Sequence, residues 1–214
     1  MTTNYADRAE QIRAAHDRTI EKIRGRFDRH EITAELRDTL MSRNVVDTRE
    51  RLTQLRDTEK TERATRRQAL ERRFFAPTGK DGNDPATRAA AFRDARERAA
   101  KLSDEHAIAD ELRSAIRADD SLLQKALFER AHDIAMTTDT GNLPGVLVAY
   151  VNQVRPELAD DYKELVDHVR EDKSLSGRFA REAAYLVSAP TELGKYQDHR
   201  IAQVADDPRF SDVA

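Results

Sequence analysis

Two residue pairs in this chain have the types and spacing for metal chemistry. Glu129 and His132 show the Glu-x-x-His spacing that di-iron carboxylate bundles use twice. Glu164 and His168 stand four apart on a later helical pattern, where they share a face. A di-iron bundle needs the first spacing on two helices plus two further glutamates, and the second pair departs from it. All four residues are read as solvated helix positions, and no metal or cofactor is expected. A helical-bundle metal-binding protein or enzyme is the second alternative function. The chain contains no cysteine, which excludes thiolate metal sites, disulfides and cysteine nucleophiles.

Other catalytic constellations are weaker. Asp119-Asp120, Asp160-Asp161 and Asp206-Asp207 are paired in sequence, but each pair falls where a helical pattern starts or stops. Acids there meet the helix macrodipole, so capping explains them. Thr78-Gly79-Lys80 and Thr140-Gly141 lack the spacings of a phosphate-binding loop, and there is no Gly-x-Ser-x-Gly elbow. No catalytic residue is assigned, and the chain is read as non-enzymatic.

A third chemistry is phosphate binding. Residues 56–73 carry seven basic and four acidic side chains, net +3, including Arg63, Arg66, Arg67, Arg72 and Arg73. Laid along one helix, these five arginines are the candidate nucleic-acid contacts. Glu59 with Arg63 and Glu62 with Arg66 are also spaced for i,i+4 pairing, no aromatic residue interleaves them, and the whole chain is net −3. A nucleic-acid-binding module is therefore the first alternative, behind a charge-paired exposed helix.

The elements that position these residues are helical. Gly numbers 7 and Pro 6 in 214 residues, while 36% of the chain is charged. The apolar and charged residues divide unevenly. Residues 1–101 hold 18 of the Val, Ile, Leu, Met, Phe and Tyr side chains, and residues 102–214 hold 33. Net charge is +4 over residues 1–77 and −7 over residues 119–214. A core-poor front half must pack as a hairpin, on the back half or on another chain to offset its chain entropy.

The front begins with a stripe. Tyr5, Ala9, Ile12, His16, Ile20, Ile23 and Phe27 recur at spacings of three and four, which predicts a helix from about Tyr5 to Arg29. A kink is expected at His30 to Thr33, and Leu36 and Leu40 resume the pattern. Asn44-Val45-Val46 reads as an interruption, followed by a capping box at Asp47 to Glu50 and a helix to Phe75. That helix holds nothing more apolar than Ala64 between Asp57 and Gln68. The stretch from Ala76 to Pro85, with two Gly and two Pro, is the clearest loop.

Further helices are expected from Pro85, with caps at Ser103 and Ser121. Val146 to Val154 reads as a helix with a strand as alternative, and Pro156 opens another helix. Leu175, Phe179, Ala183, Leu186 and Val187 line the next, and Leu193, Tyr196, Ile201 and Val204 the last.

The expected fold is all-α: an elongated, coiled-coil-like region of long helices over 1–77, a loop at 78–86, a helical bundle over 87–205 and a flexible tail at 206–214. No run approaches a membrane span and the amino terminus lacks a signal peptide's apolar core, so no membrane partner and a cytoplasmic location are expected. The leading function is a structural or assembly protein that self-associates, as a homo-oligomer or within a larger assembly. Its expected contact is the stripe of Tyr5, Ile12, Ile20, Ile23, Phe27, Leu36, Leu40, Leu52 and Leu55. Arg-, Ala- and Asp-rich helices of this style resemble assembly or virion-associated proteins of phages infecting GC-rich bacteria, which implies a virion-associated location as the alternative.

Overall fold

The computed structural model describes residues 4–77, 84–137 and 143–213, and among these it is all-α, with no strand. The helices are α1 (Tyr5–Asp28), α2 (Ala34–Phe75), α3 (Pro85–Ala100), α4 (Glu105–Arg117), α5 (Ser121–Thr137), α6 (Leu143–Val154), α7 (Ala159–Lys173), α8 (Leu175–Ala184) and α9 (Asp198–Ala205). Short 3-10 turns lie at Pro156–Leu158, Thr191–Leu193 and Pro208–Phe210. None of the described helices is long and apolar enough to cross a membrane.

The chain forms two compact units. One comprises residues 1–62 and 175–214; the other is residues 63–174. This differs from the division expected from composition, which broke the chain at the loop 78–86. The boundary instead falls inside α2, within the polar stretch from Asp57 to Gln68, where no large apolar side chain ties the helix to a core. Residues 78–83 of that loop, and Gly141-Asn142 of the turn before α6, lie outside the described residues.

In the first unit, Asn4 caps α1 by accepting from the Asp7 N–H. The helix ends at a turn in which His30 takes φ 58°, and Thr33 Oγ1 then accepts from the Leu36 N–H to start α2. Ile20, Ile23, Ile32, Met41 and Val45 form one core with Leu193 and Ile201 from the later segment. Ala9, Leu52, Leu55 and Tyr185 form a second. His16, buried on α1, accepts at Nδ1 from Asn44 Nδ2 at 2.8 Å, so this polar member of the stripe is satisfied across the helix pair.

The expected interruption at Asn44-Val45-Val46 is absent, since α2 runs unbroken for 42 residues. Val45 is fully buried. Burying a valine contributes about 1.5–3 kcal/mol, more than the few tenths it loses in helix propensity. Asp47 is no cap; it stands 3.6 Å from Arg51 as an i,i+4 pair. Residues 206–213 are not a loose tail either. The Arg43 guanidinium donates to the carbonyls of Ala205, Phe210 and Val213 at 2.9, 2.9 and 2.8 Å.

In the second unit, α5 is the central helix. Leu123, Ala126, Leu127, Phe128 and Ala131 are buried on it, and α3, α4, α6 and α7 pack around it. Phe74, near the end of α2, enters this core beside Phe128 and Tyr162, with ring centroids 5.9 and 5.5 Å away. Asp84 caps α3, with Pro85 in its first turn as expected. The caps expected at Ser103 and Ser121 fall one residue late and one residue early. Asp104 Oδ2 accepts from Ala107 N–H at 2.8 Å, and Asp120 Oδ1 from Leu123 N–H at 3.0 Å. A carboxylate both caps and answers the macrodipole, so aspartate serves these positions better than a neighbouring serine. Val146 to Val154 is helical, with Leu147, Tyr150 and Val151 buried on one face.

Candidate functional site

The apolar stripe, expected to be the contact with other chains, is covered from within. Ile20, Ile23, Leu52 and Leu55 are buried, and Tyr5, Ile12, Phe27, Leu36 and Leu40 pack partly buried against the same two clusters. Their cover is the chain's own later segment: Leu193, Tyr196 and Ile201 over one cluster, Ala184, Tyr185 and Val187 over the other. Apolar periodicity shows which residues share a face, not what lies on it. The stripe is thus an internal seam rather than a docking surface.

The five candidate phosphate-binding arginines sit on the last turns of α2, and four of them meet acids. Arg63 donates to Glu171 at 3.0 Å and Asp172 at 3.4 Å. Arg66 binds both oxygens of Glu164, at 2.7 and 2.6 Å. Arg67 reaches Glu71 at 2.8 Å and Asp172 at 3.4 Å, and Arg73 pairs with Asp161. Arg72 is exposed, and its guanidinium makes no hydrogen bond or ion pair among the described residues. The expected intrahelical pairs Glu59–Arg63 and Glu62–Arg66 are replaced by these longer-range ones: α7 brings Asp161, Glu164, Glu171 and Asp172 to this face. Each exposed pair contributes only about 0–1 kcal/mol. Together they neutralise most of the positive charge that a phosphate backbone requires.

The two Glu–His pairs do not form one centre. Glu129 accepts from Arg96 at 2.8 Å. His132 is buried, with Nδ1 3.3 Å from the Tyr162 hydroxyl and its ring 5.4 Å from that of Phe75. Burial pushes its pKa down to about 4, so it is neutral at physiological pH. Glu164 is held below the usual carboxylate range by Arg66, and His168 Nε2 lies 3.5 Å from it. Among the described residues no three His, Asp or Glu side chains converge in a way that could hold a metal ion.

The surface missed in sequence is on α8. Leu175, Phe179 and Leu186, read from the sequence as the apolar line of one helix, are 76%, 75% and 67% exposed. Leu175 and Phe179, four apart, share one side of α8, and Leu186 follows two residues past its end. The opposite side does the covering described above, and Tyr185 Oη donates to Glu59 Oε2 at 2.6 Å to fix its placement. Arg178 and Glu182 are exposed on the same helix, and Glu182 lies 3.7 Å from Arg56. The signal that could have separated the two faces is their residue size. Ala183 and Ala184 allow close approach to the α1–α2 pair, whereas Leu175 and Phe179 stand where no neighbour has been provided. No protein-family model, curated protein or solved structure matches the chain.

Proposed function

We propose that this chain is a non-enzymatic assembly module that pairs with a second copy of itself through the exposed face of α8. The observation that carries the reading is the exposure of Leu175, Phe179 and Leu186, three of the largest exposed apolar side chains, within α8 and the two residues after it. Charge complementarity favours a second copy as the occupant. Two α8 helices laid antiparallel about a two-fold axis set Leu175 of each against Leu186 of the other. The same register brings Arg178 of each beside Glu182 of the other, as an isologous interface requires.

Three side chains per copy bury far less than the roughly 800 Å² per partner of a stable complex. The expected affinity is weak, with a dissociation constant on the order of 10–100 μM. Sedimentation equilibrium across that range tests the proposal. The chain is expected to gain mass with concentration, and Phe179→Asp to stay at the monomer mass with an unchanged melting midpoint. A wild-type chain that remains monomeric throughout, or a variant that pairs as well as wild type, overturns it.

A further inference from the structure

A cavity of about 610 Å³ opens in the second unit among the end of α2, α3, α5 and α7. Its volume lies in the range of small-molecule sites, roughly 300–1,000 Å³. The walls are partly aromatic and apolar, supplied by Phe75, Phe92, Met136 and Val169. The remaining lining is charged, and most of those charges are already answered. Glu71 holds Arg67 at 2.8 Å, and Glu129 holds Arg96 at 2.8 Å. The Lys173 ammonium donates to the Met136 carbonyl.

Asp133 is the exception among the lining acids. Its carboxylate makes no hydrogen bond or ion pair among the described residues. It lies one helical turn from Glu129, on the same face of α5. The lining histidine, His132, is no competing charge, because it is buried and neutral.

We propose that this cavity is a binding site for an organic ammonium ion, its charge on Asp133 and its aromatic or apolar body against Phe75, Phe92 and Met136. Three observations support that polarity. The lining cations Arg67, Arg96 and Lys173 are engaged by Glu71, Glu129 and the Met136 carbonyl, which leaves them less to offer an anion. Arg72, the lining cation without a partner, stands exposed. Partial desolvation, with a smaller push from Glu71, holds Asp133 above the usual carboxylate range despite Arg130, Arg96 and Lys173, and a ligand cation offsets that loss of water. The site is separate from α8 and does not depend on the pairing proposed there.

The test is titration of the full chain with phenethylamine, followed by amide chemical-shift changes. Its uncharged counterpart phenylethanol and its anionic counterpart phenylpropionate serve as controls. The amine is expected to shift amides of α3 and α5 with a dissociation constant near or below about 1 mM. Phenylethanol is expected to bind about tenfold more weakly and phenylpropionate not at all, as loss of one charge-assisted hydrogen bond implies. Asp133→Asn should weaken the amine by about the same factor, and Asp133→Lys should turn the preference toward phenylpropionate. Asp133 is exposed, so neither substitution disturbs the core. Equal binding of the amine and the anion, no shift in α3 and α5, or undiminished amine binding to Asp133→Asn overturns the proposal.

Discussion

Arg24 grips Glu192 with two parallel hydrogen bonds, Nε to Oε1 at 2.6 Å and Nη2 to Oε2 at 3.0 Å. The pair joins α1 to the turn before α9, across 168 residues of sequence. The hydrogen bond from Arg24 pushes the Glu192 pKa down to about 2. A depressed carboxylate contributes stability above its unfolded pKa, near 4.3, and that contribution fades as pH falls toward 2. Glu192→Gln is expected to lower stability by about 1 kcal/mol at pH 7, the figure being discounted for partial exposure. Denaturant midpoints of the two proteins should converge as the pH approaches 2. Equal midpoints at pH 7 count against the pair's contribution.

His132 has the opposite sign. Its folded pKa is about 4 and its unfolded value near 6.5, because burial disfavours the charged ring. Between those values the unfolded chain takes up a proton that the folded chain refuses. Stability therefore falls as pH drops from about 6.5 to 4, by on the order of 2–3 kcal/mol, and levels off below. His132→Phe keeps a ring beside Phe75 and Tyr162 and should remove most of this slope. Urea unfolding at pH 7, 5.5 and 4 measures it, and an unchanged slope in the variant assigns it elsewhere.

Arg43 closes three backbone acceptors, one at the end of α9 and two beyond it, so its loss should be local. Arg43→Ala is expected to release residues 206–213 at a cost of about 2 kcal/mol or more, since charged donors hold these carbonyls. Amide exchange should accelerate by at least about tenfold in Asp207 to Val213 and little in α5. Uniform acceleration across both units means that Arg43 supports the whole fold instead.

Ser42 is the reverse case. It is fully buried on α2, and its Oγ has no hydrogen-bond partner among the described residues. An unanswered buried hydroxyl carries a desolvation penalty of about 1–3 kcal/mol. Ser42→Ala is thus expected to leave stability unchanged or raise it by up to about 1 kcal/mol. A thermal midpoint lowered by several degrees shows that the hydroxyl has a partner after all.

The all-α class was legible because few Gly or Pro interrupt the helical spacing, and because Pro85 marks a start that local chemistry alone decides. The run of α2 through Val45-Val46 was not, since burial by Leu193 and Ile201 overrides local propensity there. The same long-range cover hid the fate of the stripe: nothing at Ile20 or Leu52 announces that residues 184–201 will lie on them. Arg63 and Arg66 had acids at helical spacing, yet α7 offered Glu164 and Asp172 from a hundred residues away. Glu129 and His132 stood out by spacing, but the residue that matters in their cavity is Asp133. Its distinction is the lack of a partner, which is a property of the fold and not of its neighbours in sequence.

The discontinuity of the first unit has a consequence during synthesis. Residues 63–174 leave the ribosome as one contiguous block and can condense as soon as they emerge. The α1–α2 pair has by then been waiting, with Ile20, Ile23, Leu52 and Leu55 still wet, for a lid made of residues translated more than a hundred codons later. At about 5–20 residues per second that delay lasts several seconds or more. Throughout it the nascent chain exposes the seam that the finished protein conceals, which is the interval in which a holdase would matter most.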